Sequence, residues 1–489
     1  MWRYGRLLAD SGRPLSAAQR LPPAPRADLR PAAALADALR RVAFDPAALQ
    51  TVLAGADDEP ELYEARAAGL PSALATAMRL FILGQPVTRA DAEAALTAAG
   101  VESGAALRVL VETAEGIRAT VRIVPHDIVL LASDVPAREP PAEHVAAAHA
   151  PSLTLARLTI RRRVQRALDL GTGNGIQALL LAQHADHVVA VDINERALRF
   201  TELNAALNGL RNIETRAGSF FEAVPDERFG VAVCNPPYVI SPESRLLYRD
   251  ADVRGDVLSE QLVREMPSYL EDEAYATVLV SWVEGAAGTD PPPVRWSADG
   301  GCDALVLEFE RRDPLGEATY WQGGADDAAD ERIASWLDFY RREGIEKIGY
   351  GAVVLRRRAG RTWQNVLAVG GGPAGHASDQ LLRIFAARDA LARAPIHQQR
   401  FAWAPDAVLQ PARDPADGGS RVALRGGLGL RGTLDPVATA VVERLSAARP
   451  AGVAFDAAAR ALGRDRAALR ELGEEVVAGL VELGFLVPL

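Results

Sequence analysis

The sequence predicts an α/β protein built on a doubly wound, seven-stranded sheet, with helical modules of winged-helix type on either side. Three observations predict it. Residues 160 to about 358 alternate β-like apolar runs with helical stretches. A glycine-rich turn, Gly171-Thr172-Gly173-Asn174-Gly175, joins the first of those strands to its helix. Both flanks read as helices closed by short β-like runs.

The chain has 489 residues, enough for about three domains at ~150 residues each, and its 49% hydrophobic content supplies real cores. Residues 1–32 carry Pro14, Pro22, Pro23, Pro25 and Pro31 among arginines and alanines, a composition that reads as a flexible N-terminal arm. Residues 33–135 form the first winged-helix-like domain. Leu35, Leu39 and Val42 recur at helical spacing, a second helix follows Pro71 through Leu74, Met78 and Phe81, and Thr88 caps a third that Gly100 should stop. Two β-like runs, Ile117–Val124 and Ile128–Ala132, close it as a hairpin.

The central domain spans about 150–360, with strands expected at Ala167–Leu170, His187–Asp192, Ile213–Ala217, Gly230–Cys234, Ala274–Val283, Ala304–Glu310 and Gly349–Arg356. Residues 361–425 read as a connecting segment. From Gly426 to the end the helical rhythm returns: Asp435–Leu445, Phe455–Leu462 and Arg466–Leu483, then a short strand at Gly484–Val487, a second winged-helix-like domain. Acidic Glu471, Glu474, Glu475 and Glu482 on its longest helix argue against a DNA-reading face.

Fifty-four basic and 64 acidic residues leave a net charge of −10, which disfavours broad electrostatic coating of nucleic acid or anionic lipid. Only Cys234 and Cys302 are present, so no disulfide framework or zinc spacing exists, and we expect no metal and a cytoplasmic location. No apolar run approaches the ~18 residues of a membrane helix, and Met1–Arg6 is followed by no apolar stretch of the export type.

The chemistry concentrates at two turns. In Asp169-Leu170-Gly171-Thr172-Gly173-Asn174-Gly175 the glycines let backbone approach a ligand closely, while N–H groups of the following helix face it. Seventeen positions after Gly175, the run Val188–Val191 ends in Asp192, an acid at a strand tip that can accept from ribose hydroxyls, with Ile193 beside it. That spacing alone would also suit a nicotinamide enzyme. The order GxGxG with Asp169 ahead of it, however, would repel a pyrophosphate and welcome an ammonium, a description that fits S-adenosylmethionine. The second turn is Asn235-Pro236-Pro237-Tyr238, after the apolar strand Val231–Cys234. The prolines fix the backbone and leave carbonyls free. The Asn235 side-chain oxygen and the Pro236 carbonyl could hold both hydrogens of a planar –NH2 group, with Tyr238 as a flat wall. No strong base is required, because orientation carries the rate.

The motifs DLGTGNG, VVAVDIN and NPPY, in this order and spacing, resemble class I S-adenosylmethionine-dependent methyltransferases, specifically the HemK/PrmC-type protein glutamine methyltransferases and the small-domain RNA enzymes. The resemblance covers about 150–360 and implies a Rossmann-like methyltransferase sheet of seven strands, the last antiparallel. It also implies that Asp169, Gly171, Thr172, Gly173 and Gly175 lie along the methionine part of the cofactor, Asp192 and Ile193 along the ribose side, Ser219 and Phe220 near the adenine, and Asn235, Pro236, Pro237 and Tyr238 on the target nitrogen. Ser219 stands where relatives usually carry an acid.

The reading that results is an N-methyltransferase acting on a planar amide or amine, foremost a glutamine side chain of a translation-factor-like protein. RNA or DNA methylation at an exocyclic base amine and small-molecule methylation stay open, since NPPY is common to the first two. The negative charge favours protein over RNA, whereas Arg161–Arg163 and Arg166 and the two flanking modules favour RNA. A cofactor-sensing regulator would have no use for an intact NPPY.

Overall fold

The computed structural model describes residues 21–53, 69–137, 140–242, 255–285, 291–322, 329–411 and 419–489. Most of the expected N-terminal arm lies outside them. The chain divides into two compact units. The first comprises the described residues up to Ala156 together with Arg162–Ala304 and Arg311–Thr362; the second comprises Arg157–Arg161, Leu305–Glu310 and Trp363–Leu489.

The first unit opens with α1 (Leu29–Arg41), α2 (Pro46–Leu53), α3 (Ser72–Phe81) and α4 (Arg89–Ala106). Apolar positions at helical spacing decide what they bury: Leu35 and Leu39 of α1, Met78 and Phe81 of α3, and Leu96 of α4 share one core. Thr88 caps α4, its hydroxyl accepting the Asp91 N–H at 3.1 Å. Gly100, expected to end that helix, lies inside it. α4 breaks helical geometry at Thr97 and continues to Ala106. An added Cβ at Gly100 would stand 3.3 Å from the Ala38 Cβ, so this glycine serves the close approach of α4 to α1.

Two antiparallel hairpins follow, β1 (Leu110–Thr113) with β2 (Gly116–Ala119), and β3 (Val121–His126) with β4 (Val129–Asp134). After them come α5 (Ala150–Leu158), β5 (Val164–Leu170), α6 (Ile176–Leu181), β6 (Ala185–Asp192), α7 (Glu195–Leu207), β7 (Ile213–Ala217) and β8 (Phe229–Cys234). Then α8 (Gly255–Glu265), β9 (Leu270–Glu284), α9 (Pro292–Trp296), β10 (Cys302–Arg312), α10 (Pro314–Gln322), α11 (Ala329–Arg342) and β11 (Lys347–Arg357) complete the alternation.

The expected strands correspond to β5 to β11 of a large mixed sheet, and β12 (Gln364–Ala368) is a strand that the sequence analysis placed in a connecting segment. The order is β12-β10-β11-β9-β8-β5-β6-β7. β5, β6, β7, β8 and β9 run parallel where they pair, and β11 pairs antiparallel with β9, Lys347 opposite Glu284 through Arg356 opposite Tyr275. Central strands are apolar on both faces, as a parallel sheet covered by helices requires; β8 is buried throughout.

The hairpin β3/β4 is fastened to α7 by two asparagines one helical turn apart. Asn208 accepts the Leu130 N–H at 2.9 Å and donates to the Leu130 carbonyl at 2.8 Å. Asn204 does the same to Ala132, at 2.7 and 2.9 Å, and donates to the Asn174 carbonyl at 2.7 Å. The i, i+4 spacing on the helix meets alternate residues on the strand, so two side-chain amides act as the next strand of a ladder. The N-terminal helices pack into the same core from the other side, against Phe200, Leu203 and Leu207 of α7.

The second unit holds β12, α12 (Ser378–Leu391), β13 (Phe401–Trp403), and the antiparallel meander β14 (Ala407–Pro411), β15 (Ser420–Leu424) and β16 (Arg431–Leu434). α13 (Pro436–Val442), α14 (Ala451–Leu462), α15 (Arg466–Glu482) and β17 (Leu486–Pro488) end it. Residues 361–425 are therefore not a mere connection. Phe401, Val422 and Leu424 share one core with Phe455 and Val477 of the C-terminal helices and with Phe485 just ahead of β17, and β17 pairs with β13.

Asn204 is fully buried, and its loss would orphan three backbone groups. We expect Asn204→Leu to cost about 2–4 kcal/mol of stability, since each unsatisfied buried group carries roughly 1–3 kcal/mol. Urea denaturation and amide exchange at Leu130 and Ala132 would check it; unchanged protection there would contradict the clamp.

Candidate active site

Strand order reverses at β5. Its neighbours are β6 on one side and β8 on the other, and at such a switch point the loops leaving the carboxyl ends diverge and open a crevice. Leu170 pairs with Cys234, so the next residues, Gly171 and Asn235, leave the sheet side by side. A cavity of about 360 Å³ occupies the crevice, within the size range of small-molecule sites.

The floor is the glycine turn. Gly171, Gly173 and Gly175 have φ of 70°, 59° and 83°, the left-handed region where only glycine sits without cost. Gly175 is also confined: a Cβ there would meet the Thr201 side chain at 2.9 Å. Thr201 donates to the Gly173 carbonyl at 3.2 Å, and the Gly171 and Thr172 N–H groups both donate to the Val191 carbonyl at 2.9 Å.

Beneath the turn lies Asp169, 1% exposed. One of its oxygens accepts the Thr172 hydroxyl at 2.7 Å and the Ala178 N–H at 3.0 Å. Burial pushes its carboxyl up to about 7, with those two donors pulling the other way. This corrects the expectation that Asp169 draws in a cationic ligand. It does not line the cavity; it ties the turn to the first turn of α6.

Asp192 does line the cavity. Its oxygens accept the Gly173 N–H at 2.8 Å and the Asn194 N–H at 2.9 Å, which leaves lone pairs for a ligand, because a carboxylate offers about four acceptor positions. Ile193, 64% exposed, presents a bare aliphatic surface at the rim. Ser219 and Phe220 line the same cavity after β7. Phe220 has φ of 44°, an uncommon conformation for a bulky residue and one found at ligand sites. Phe221 is turned away, stacked on Tyr269 at 4.2 Å.

On the facing side Asn235 and Pro237 line the cavity, while Pro236 is buried behind them. The Asn235 amide is half-buried and has no hydrogen-bond partner among the described residues, so its oxygen is available to a substrate. Tyr238 does not line the cavity. Its carbonyl accepts the Ser281 hydroxyl at 2.5 Å, its ring stands 6.0 Å from that of Tyr350, and burial raises its hydroxyl's pKa. Behind it a completely buried Glu317 accepts from Tyr350, from the Trp321 indole at 2.5 Å and from Arg312 at 3.0 Å. Tyr340 of α11 donates to the Ile240 carbonyl at 2.9 Å. The connection from β10 to β11 thus braces the turn that follows β8.

The structure therefore gathers Gly171, Thr172, Gly173, Asp192, Ile193, Ser219, Phe220, Asn235 and Pro237 around one space, and places Asp169, Gly175, Pro236 and Tyr238 in its supporting layer. Trp282 and Trp296 are core residues. Cys234 is fully buried, its thiol's pKa raised by that burial and by Asp169. The Arg312–Glu317–Tyr350 brace and the wall residues His144 and His149 escaped sequence reasoning.

Two expectations follow. Gly175→Ala should weaken S-adenosylhomocysteine binding at least tenfold by calorimetry, since both its φ and the space around it exclude a Cβ. Asp169, with a folded-state pKa near 7 against roughly 3.9 unfolded, holds a proton more tightly when folded. Its contribution is complete below about pH 4 and is lost as the pH rises through 7. Asp169→Asn should flatten that part of the stability profile between about pH 4 and 7.

Residues 149–248 match the family model described as the methyltransferase small domain. The release factor glutamine methyltransferase of Xylella fastidiosa is 33% identical over 135 residues, 25% of this chain and 49% of that protein. The ribosomal protein uL3 glutamine methyltransferase of Bordetella pertussis is 45% identical over 80 residues, 16% and 27%. The tRNA1(Val) (adenine(37)-N6)-methyltransferase of Vibrio cholerae is 32% identical over 124 residues, 24% and 51%. The chain spans about half the length, or less, of these curated relatives. The matched stretch contains the glycine turn, Asp192, Ser219 and the Asn235–Tyr238 turn, and over it this chain is similar to class I S-adenosylmethionine-dependent methyltransferases of the HemK/PrmC type.

Proposed function

We propose that the protein transfers a methyl group from S-adenosylmethionine to a planar nitrogen, foremost the side-chain amide of a glutamine in a protein of the translation apparatus. One observation carries the reading: the Asn235 amide, without a partner among the described residues, lies on the same cavity as Asp192 and the glycine turn. Release factor and ribosomal protein uL3 glutamine methyltransferases among the relatives support the choice of a protein amide, as does the net charge of −10.

The residues present fit the cofactor. Three left-handed glycines make a cradle that a Cβ would disturb, Asp192 has acceptor capacity left over, and Ile193 and Phe220 offer apolar surface to a flat ring. When bound, S-adenosylmethionine supplies an electrophilic methyl group. The chain's own part is to orient the acceptor. Asn235 Oδ1 takes one N–H hydrogen of the amide, fixing its plane and turning the nitrogen lone pair toward the cavity, while the buried Pro236 holds the turn behind it. The proton departs after the new bond forms, so a strong base is unnecessary and positioning provides the rate. Tyr238 contributes rigidity, held by Ser281 and the brace around Glu317 rather than by touching the cavity.

The helices and hairpin of residues 33–135 and the helices of residues 426–489 serve, in this proposal, as winged-helix-like modules that present the macromolecular substrate in the cytoplasm. No helix of the described residues is long and apolar enough to cross a membrane. The tRNA adenine methyltransferase among the relatives makes an exocyclic base amine the competing substrate.

Asn235→Ala should lower turnover by at least about a hundredfold with cofactor affinity nearly unchanged, and Asp192→Ala should chiefly weaken cofactor affinity. Labelled S-adenosylmethionine incubated with a cell extract tests the substrate class. Label that survives ribonuclease and is lost to protease supports a protein amide; the reverse result moves the assignment to RNA.

A further inference from the structure

His144 stands in the wall of the cavity and has no place in the motifs described above. It is 7% exposed and lines the cavity together with Asp192, Asn194 and Ala197. Its Nδ1 is sealed and makes no hydrogen bond, lying 4.0 Å from Asp134 Oδ2. That oxygen is already engaged, accepting the Val145 N–H at 2.9 Å and Arg196 Nε at 2.8 Å, while Arg196 Nη2 pairs with Oδ1. Nε2 also lacks a partner among the described residues, and it is the ring nitrogen not closed off from the cavity.

The surroundings choose the tautomer. Burial disfavours the imidazolium, Asp134 opposes that and Arg196 reinforces it, so the ring's pKa is lowered. In the neutral ring the hydrogen belongs on Nδ1, which faces the carboxylate, and the lone pair on Nε2 then faces the cavity as an acceptor. Its position along the cavity is also fixed. Asn194 Nδ2 donates to the Glu143 carbonyl at 2.9 Å, which brings the residue before His144 to the end of β6, two positions past Asp192. Two acceptors of different strength, a carboxylate and an imidazole nitrogen, thus share one end of a cavity. A pair of adjacent hydroxyls is the donor set that matches them.

We propose that His144 Nε2 is a second acceptor for the ribose of the cofactor, dividing the two hydroxyls with Asp192. This rests on the cavity being the S-adenosylmethionine site, as proposed above.

The test is a binding cycle on the full chain, with no turnover involved. S-adenosylhomocysteine and its 2′-deoxy and 3′-deoxy analogues are titrated calorimetrically into the unsubstituted protein, His144→Phe and His144→Gln. A lost hydrogen bond to a ligand is worth about tenfold in affinity. We expect His144→Phe to bind S-adenosylhomocysteine about tenfold more weakly, yet to bind one of the deoxy analogues as well as the unsubstituted protein does. His144→Gln, whose side-chain oxygen still accepts, should regain part of the loss. Melting temperatures without ligand separate a folding defect from a binding one, and His144→Gln serves if His144→Phe does not fold. Equal affinity of His144→Phe for S-adenosylhomocysteine, or penalties that simply multiply for both analogues, would overturn the assignment; the latter would place His144 on another donor such as the ammonium. Failure of the unsubstituted protein to bind S-adenosylhomocysteine would instead sink the reading of the cavity.

Discussion

The parallel pairing of β5 with β8 is the constraint on which the site depends. These strands are more than 50 residues apart in sequence, and only their pairing sets Gly171 beside Asn235. The backbone ladder therefore fixes the glycine turn and the Asn235–Tyr238 turn to one frame before any ligand arrives, as the proposed catalysis by orientation needs.

Stiffening is done by buried polar groups, each satisfied by backbone or by side-chain donors. Asp169 spends its acceptors on the turn that follows it, Asn204 bridges β4 to the Asn174 carbonyl, and Glu317 gathers three donors behind Tyr238. Such groups are costly to bury and costlier to leave unpaired, so each permits essentially one local arrangement. The residues left unsatisfied or exposed, Asn235, His144 and Ile193, face the cavity.

Much of this was legible in the sequence because the signals are local. A strand, a glycine turn and a helix occupy adjacent residues, so Gly171, Gly173 and Asp192 could be placed from spacing alone, as could the strands that became β5 to β11. What escaped was set by distant partners. Nothing near Asp169 distinguishes a carboxylate that greets a ligand from one that holds its own loop; its burial comes from strands on both sides. Glu317 meets Tyr350 only once β11 has returned antiparallel to β9. Residues 361–425 read as a connection because their short strands and single helix bury apolar groups only against helices that follow much later. Gly100 was misjudged for the same reason: a helix end and a close helix crossing both select glycine, and only the neighbour α1 tells them apart.

The asparagine clamp between β4 and α7 bears on how the protein could be divided. Because Asn204 holds the hairpin with one arm and the carbonyl of Asn174 with the other, the cofactor turn borrows part of its rigidity from a segment some forty residues upstream of it. The motif-bearing stretch is consequently not autonomous. A boundary drawn at the first motif strand would cut through the scaffold of the turn itself, so the hairpin ahead of it belongs with the sheet as one structural piece.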